Sequence, residues 1–266
     1  MHLYSTNYHR ATSLEDAGKL LSGADDGKYI AGGQTLIATL KQRLAQPSDL
    51  VDLRHIAALK GIAVEGRKVT IGAGVTHAEV ASSASIRGVC PALAHLASLI
   101  GDPHVRHMGT IGGSIANDDP AADYPAAVLG LGATVVTNRR EIAADDFFVS
   151  LFETALRDDE IITAVRFQAP EKAGYAKFAN PASRFAMTGV FVSKGEGGVR
   201  VAVTGAGSSG VFRHAGLEQA LAADWSPQAV SGVPIDSADL MSDLHCTAEY
   251  RANLVRVMAK RAVQAA

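Results

Sequence analysis

The chain has 266 residues, 47% of them hydrophobic and 20% charged, with 25 Lys+Arg against 27 Asp+Glu and a formal charge of −2. That is the composition of a globular protein with room for one large domain or two to three smaller ones, and the near-neutral balance argues against a nucleic-acid or anionic-membrane partner. No apolar run reaches the ~18–20 residues of a membrane span, and the two cysteines, Cys90 and Cys246, are too few for an all-cysteine iron–sulfur cluster.

In chain order, the N-terminus Met1-His2-Leu3-Tyr4-Ser5 has no signal-peptide pattern, so a cytoplasmic protein with free thiols is expected. The pattern predicts a helix over 12–22, capped by Thr12 or Ser13, with Leu14, Ala17, Leu20 and Leu21 as its apolar stripe. A short strand over 28–31 feeds the segment Ala31-Gly32-Gly33-Gln34-Thr35-Leu36. A helix over 36–44 follows, with Leu36, Leu40 and Leu44 on one face, and a strand over 50–53 comes after Pro47. Residues 1–55 thus read as a βαβ-like unit.

Strands over 62–65 and 68–71 flank Gly66-Arg67, a hairpin pattern. Thr76-His77-Ala78-Glu79 has the form of a capping box, and Pro91 opens a helix reaching 99. A second glycine-rich segment, Gly109-Thr110-Ile111-Gly112-Gly113-Ser114, precedes a helix over 125–131 and strands over 133–137 and 160–167. Beyond about 175, strands over 185–193 and 199–204 are separated by Gly195-Glu196-Gly197-Gly198. A short helix is expected from Ser226-Pro227. A longer one over 247–263 carries Arg251, Arg256, Lys260 and Arg261 on its polar side, where late cations suit the helix dipole.

The two glycine segments share one grammar: paired glycines beside a hydroxyl residue. Glycine admits positive φ and lets backbone N–H groups approach a ligand, and clustered N–H groups form a concave anion site. Two such turns suggest a ligand with two adjacent phosphates, a dinucleotide. For the first turn, the plain alternative is a tight strand-to-helix connection. After the second come Asn117, Asp118, Asp119 and Asp123. Aspartates of this kind accept from ribose hydroxyls or form a solvated acidic loop, with Asp123 capping the next helix. No Lys follows either glycine pair, which excludes a Walker-type loop.

Gly205-Ala206-Gly207-Ser208-Ser209-Gly210 after a strand imitates a dinucleotide fingerprint, but Asp224 downstream leads into a loop rather than a parallel strand, so a structural turn is expected. His104 and His107 lack a third metal ligand and are expected on a loop. Arg106 is expected to contact a phosphate or a partner subunit, with an exposed ion pair as the plain alternative.

Taken together, these segments resemble the FAD-binding medium subunits of molybdenum hydroxylases: the flavoprotein subunits of aerobic carbon monoxide dehydrogenase and N-heterocycle dehydrogenases, and the flavin domain of xanthine dehydrogenase. The resemblance rests on five motifs in order. They are Ala31–Leu36, Gly101-Asp102-Pro103-His104-Val105-Arg106, Thr110–Asp123, Asp158-Asp159-Glu160-Ile161-Ile162 and Asn180-Pro181-Ala182-Ser183-Arg184. It implies an α+β, three-module FAD-binding fold of the vanillyl-alcohol-oxidase (PCMH) type, with modules at 1–56, 57–174 and a C-terminal α+β domain at 175–266.

The resemblance further implies non-covalent FAD. Its pyrophosphate would lie on Ala31, Gly32, Gly33, Gln34, Thr35 and Leu36, with Thr110, Ile111, Gly112, Gly113 and Ser114 serving pyrophosphate and flavin. Asp123 would serve the adenosine ribose, Asn117 would lie beside it, and Ile161 or Ile162 would pack near adenine. Iron–sulfur clusters and molybdopterin are expected only in partners, a small and a large subunit, in a dimer of heterotrimers. Electrons would pass from the iron–sulfur centres through FAD to an external acceptor, so no catalytic residue and no metal is expected in this chain. Thr35, Asn117-Asp118 and Asn180 depart from the commoner family residues. A self-contained flavin oxidoreductase and a non-catalytic nucleotide-binding module are the rival readings.

Overall fold

The structure, a computed structural model, describes residues 3–266. Its first segment contains β1 (Asn7–Arg10), α1 (Leu14–Ser22), β2 (Gly27–Ile30), α2 (Leu36–Lys41) and β3 (Asp49–Asp52). The strands form a parallel sheet in the order β1-β3-β2. The expected βαβ unit is therefore present as β2-α2-β3, with β1 added on the far side of β3. β1 escapes sequence reading because Asn-Tyr-His-Arg has no apolar alternation; it joins β3 through backbone pairing and through the Tyr8 hydroxyl on Asp52 and the His9 ring on Asp49. α1 starts where the Ser13 hydroxyl accepts from Asp16 N–H. α2 ends earlier than expected. Arg43 turns left-handed at φ 59°, which releases Leu44 from the apolar stripe to 77% exposure.

The second segment opens with the hairpin β4 (Ile62–Glu65) and β5 (Lys68–Gly72). Six short helices follow: α3 (His77–Ser82), α4 (Ala84–Val89), α5 (Pro91–Ser98), α6 (Pro103–Met108), α7 (Ile111–Asn117) and α8 (Tyr124–Gly130). The capping box closes as expected: the Thr76 hydroxyl accepts from Glu79 N–H, and the Glu79 carboxylate accepts from Thr76 N–H. His104 and His107 lie on α6 rather than a loop, because Asp102 caps Val105 N–H and Pro103 takes the first helical position.

Beyond α8 come β6 (Thr134–Thr137), β7 (Glu141–Ala143), α9 (Ala144–Phe147), the small hairpin β8 (Phe148–Ser150) and β9 (Glu153–Thr154), and β10 (Ile162–Gln168). These complete an antiparallel sheet of order β4-β5-β10-β6-β7. Its apolar face, with Ile71, Val135 and Val165, packs in one core with Leu93 and Leu96 of α5 and Tyr124 and Val128 of α8. Each such fully buried side chain contributes roughly 1.5–3 kcal/mol.

The third segment is the antiparallel sheet β11 (Lys172–Ala179), β12 (Ala186–Gly195), β13 (Gly198–Thr204) and β14 (Phe212–Arg213), covered by α10 (Ala215–Ala223) and α11 (Ala248–Gln264). Two local expectations change here, at Ser226-Pro227 and Arg251, and the structural turn expected at Gly205–Gly210 forms. Ser226-Pro227 opens turns rather than a helix, the Ser226 hydroxyl accepting from Ala229 N–H. Gly205–Gly210 joins two antiparallel strands, so no dinucleotide fingerprint forms; instead Gly205 N–H donates to Pro120 O at 2.8 Å. Arg251 lies on the buried side of α11 at 3% exposure, donating to Met187 O, to Gly205 O and to Asp243.

Helix α7 stops at Asp118, which adopts the left-handed conformation (φ 44°, ψ 48°). Its main-chain O accepts from Phe152 N–H, tying the β8–β9 hairpin to this corner. The side chain is buried, and its Oδ1 meets no partner. Burial, with a minor contribution from neighbouring Asp119, pushes the carboxyl up to about 7.

Arg251→Ala strips a donor from two carbonyls and leaves Asp243 without its cation. It should destabilise the chain by about 3 kcal/mol or more in urea denaturation, with Arg251→Lys recovering only part. For Asp118, the folded chain holds a proton that the unfolded chain releases near the usual carboxylate pKa. The Asp118 contribution to stability should therefore fall as pH rises from about 4 through about 7 and level off above, while His77, its imidazole held down by burial, works in the opposite direction over part of that range. Asp118→Asn should raise the melting temperature at pH 8 relative to wild type and by progressively less toward pH 4; a difference between the two proteins that does not change with pH would contradict the assignment.

Candidate functional site

A large cavity of about 1250 Å³ opens between the first and second segments, bounded also by residues 183–185 of the third. It exceeds the ~300–1,000 Å³ usual for small-molecule pockets and suits an extended ligand. Ala31, Gly32, Gly33, Gln34, Thr35 and Leu36 line it, as do Thr110, Gly112, Gly113, Ser114, Asn117, Asp123, Ile161 and Ile162. Ile111 does not line it; the residue is 1% exposed and belongs to the apolar core.

The two glycine segments touch. A Cβ added at Gly32 would lie 2.1 Å from Met108 O and 2.7 Å from Gly109 Cα, so only glycine fits where the first turn crosses the approach to the second. Gly33 takes φ +69°, which reverses the chain between β2 and α2. The N–H groups of Gly32, Gly33, Gln34 and Thr35 find no acceptor among the described residues, although they follow directly on a sheet strand. Gly32 is buried while Gln34 and Thr35 are exposed, and a row of successive free amides on the cavity wall is suited to an anion.

The second segment works differently. It is the first turn of α7, with Thr110 as its cap. Ile111 N–H donates to Val75 O (3.1 Å), Gly112 N–H to Ala73 O (2.9 Å), Gly113 N–H to the Thr110 hydroxyl (3.1 Å) and Ser114 N–H to Thr110 O (3.0 Å). Those amides are spent on structure. What this segment offers the cavity is the Thr110 and Ser114 hydroxyls and two glycine faces without side chains.

Asp123 is 4% exposed and makes no capping bond. Its carboxylate accepts from the Tyr175 hydroxyl (2.5 Å) and from Lys177 Nζ (3.0 Å), while Lys177 also donates to Leu99 O. Burial pushes the carboxyl up, and Lys177 opposes that. At the Ile161–Ile162 wall, Glu160 is held down to about 2, chiefly by the Arg140 guanidinium, with Thr137 and Arg157 N–H adding to it. Asn180 stands back from the cavity. Its Oδ1 accepts from Ala182 and Ser183 N–H and shapes the loop that carries Ser183, Arg184 and Phe185 to the rim. Arg106 donates to Ile100 O and Gly101 O and, among the described residues, meets no carboxylate, so the exposed ion pair does not form.

Sequence reasoning missed several lining residues. Tyr29, directly before the first turn, has a buried hydroxyl with no partner, and burial pushes its pKa up. His77, inside the capping box, is 5% exposed with Nδ1 unpartnered. Burial, helped slightly by Arg106, pushes the imidazole down to about 4, so it is neutral at physiological pH. The capping-box motif announces the helix but not the direction of that ring, and Phe152 of the β8–β9 hairpin had no local signal at all. Among the described residues no cluster of three or more His, Cys, Asp or Glu could hold a metal ion, and no helix is long and apolar enough to cross a membrane.

Comparison with known proteins agrees with this geometry. Residues 4–170 match the family model described as the FAD binding domain in molybdopterin dehydrogenase. The nicotine 6-hydroxylase medium subunit of Paenarthrobacter nicotinovorans is 36% identical over 99% of this chain and 98% of its own length. The carbon monoxide dehydrogenase medium chain of Hydrogenophaga pseudoflava is 33% identical over 97% and 96%. Among solved structures, a chain of the reconstituted CO dehydrogenase from Oligotropha carboxidovorans superposes with a TM-score of 0.91 at 32% identity, covering 100% of this chain and 99% of the other. An unpartnered amide row, a cavity of dinucleotide size and orphaned polar atoms on its wall all fit FAD. The chain belongs to the family of FAD-binding medium subunits of molybdenum hydroxylases and is the flavoprotein component of an oxidoreductase, with the α+β FAD-binding fold of that family.

Proposed function

We propose that this chain carries non-covalent FAD as an electron-transfer subunit, receiving electrons from iron–sulfur centres of a small partner subunit and passing them to an external acceptor. The observation that carries the reading is the row of free amides at Gly32, Gly33, Gln34 and Thr35 on the cavity wall. These four N–H groups hold the pyrophosphate. Thr110 and Ser114 supply hydroxyls from the opposite side, and Gly113 presents no side chain to the cavity, while Gly112 lets the turn pack against Ala73. Ile161 and Ile162 give an apolar wall for adenine. Asn117 and Asp123 lie toward the ribose, with the Asp123 carboxylate oriented by Tyr175 and Lys177.

FAD, when bound, supplies the redox chemistry; the chain binds, orients and shields it. No side chain here need act as acid or base on an organic substrate, because hydroxylation belongs to a large molybdopterin subunit. The nicotine hydroxylase and CO dehydrogenase relatives, named as medium subunit and medium chain, support that division of labour. In this reading residues 1–56 and 57–174 enclose the cofactor, residues 175–266 fasten it, and the complex is a cytoplasmic dimer of heterotrimers.

The chain purified alone should be yellow, and heat denaturation should release all of its flavin as FAD into the supernatant. A colourless chain that takes up no added FAD would remove the basis of this reading. Gly32→Ala should weaken FAD binding by at least ~10-fold, about 1.4 kcal/mol or more, because its Cβ forces the two turns apart. Gly88→Ala, with open space around the new methyl, should bind like wild type in the same fluorescence titration.

A further inference from the structure

The cavity wall contains a buried imidazole, His77, that the proposed cofactor site does not yet use. Gly109 is sandwiched between the first turn and that ring: a Cβ at Gly32 would lie 2.7 Å from Gly109 Cα, and a Cβ at Gly109 would lie 2.5 Å from His77 Nε2. The imidazole is thus two short contacts from the free amides that hold the pyrophosphate. His77 N–H donates to Gly109 O at 2.9 Å, which fixes the ring's position relative to the turn. On its other side the ring faces Tyr124, with centroids 5.3 Å apart, and the Tyr124 hydroxyl is itself buried and unpartnered. An aromatic face within about 6 Å stabilises a cation more than a neutral ring.

We infer that His77 is a further cofactor-binding residue, which takes up a proton when the pyrophosphate dianion enters and adds a positive charge beneath the second turn. The inference rests on FAD occupying this cavity. The charges around the ring favour it only once the dianion is present. On its own helix, Glu79 is engaged with Thr76. From α4, Arg87 donates to Ala81 O. From α5, His95 is exposed. From α6 come His104, Arg106 and His107, and Arg106 disfavours a proton on His77. α7 brings no ionisable group, and α8 brings only Tyr124. With no partner on Nδ1 and a cation nearby, the ring stays neutral in the free protein. Two phosphate charges beyond Gly109 reverse that balance. The sign follows from linkage: a group that binds its proton more tightly in the complex makes binding weaker as pH rises.

The test is calorimetric titration of FAD into the flavin-stripped full chain near pH 7, in two buffers of different ionisation enthalpy, for wild type and His77→Gln. Wild type should take up more than half a proton per FAD, and His77→Gln should take up none. The wild-type dissociation constant should rise between pH 6 and pH 8 while that of the variant stays flat, the variant binding up to ~10-fold more weakly at pH 6. Melting curves of the flavin-stripped proteins check that the variant folds; should it not, His77→Asn takes its place in the same titration, and Asp118→Asn separates any proton taken up by that carboxyl. FAD binding without proton uptake, or equal uptake by His77→Gln, overturns the role of His77 and leaves the FAD reading intact. A chain that takes no FAD overturns both.

Discussion

The contact between Gly32 and the Met108–Gly109 backbone is the constraint on which the site depends. Two segments far apart in sequence are brought to van der Waals distance at a point where even one methyl group would strike a carbonyl oxygen at 2.1 Å. That crossing closes the cavity floor between the parallel sheet of the first segment and the helices of the second. It also explains why the two glycine turns share a pattern without sharing a role. The first keeps its amides free. The second spends its amides on Val75, Ala73 and its own cap, and uses its glycines for clearance, Gly112 lying where a Cβ would be 2.5 Å from that of Ala73.

The C-terminal sheet secures the other half of the site. The acidic loop after α7 is fastened to it through the backbone: Thr204 donates its hydroxyl to Pro120 O and Ala122 O, Gly205 N–H donates to Pro120 O, and Ala186 N–H donates to Ala121 O. Lys177 and Tyr175 then hold Asp123 from β11. A loop with aspartates at 118, 119 and 123 would drift apart by charge repulsion if solvated. Here Asp118 is buried, Asp123 is paired and Asp119 caps Ala121 N–H, so the loop presents a fixed edge to the cavity. The imitation fingerprint at Gly205–Gly210 has its use in this fastening: a side chain at Gly205 would meet Ala186 O at 2.3 Å.

Much of this was legible in the sequence because local chemistry agreed with global packing. The capping box at Thr76, the Pro91 helix start and the Gly66 hairpin are local signals, and each forms as read. The glycine pairs announced close approach, and their lining of one cavity followed. The rest depends on contacts that one sequence does not display. β1 is polar, and what holds it is its pairing with β3 and the bonds of Tyr8 to Asp52 and His9 to Asp49, partners distant in sequence. Arg251 reads as a solvent-facing cation by helical pattern, yet it is buried because two carbonyls and Asp243 surround it. By sequence the amides of Ile111 and Gly112 read as free as those of Gly32 to Thr35; their acceptors, Val75 O and Ala73 O, come from the distant β5–α3 connection.

The central claim is that the first turn binds the pyrophosphate through its backbone while the second shapes the space. Amide proton and nitrogen shifts of the isotope-labelled chain, recorded before and after FAD addition, test it most directly. The account predicts that Gly32, Gly33, Gln34 and Thr35 amide protons move strongly downfield as they gain phosphate acceptors, and that Ile111, Gly112 and Gly113, already bonded, move little. Large downfield shifts confined to Ile111–Gly113, with Gly32–Thr35 unchanged, would contradict it.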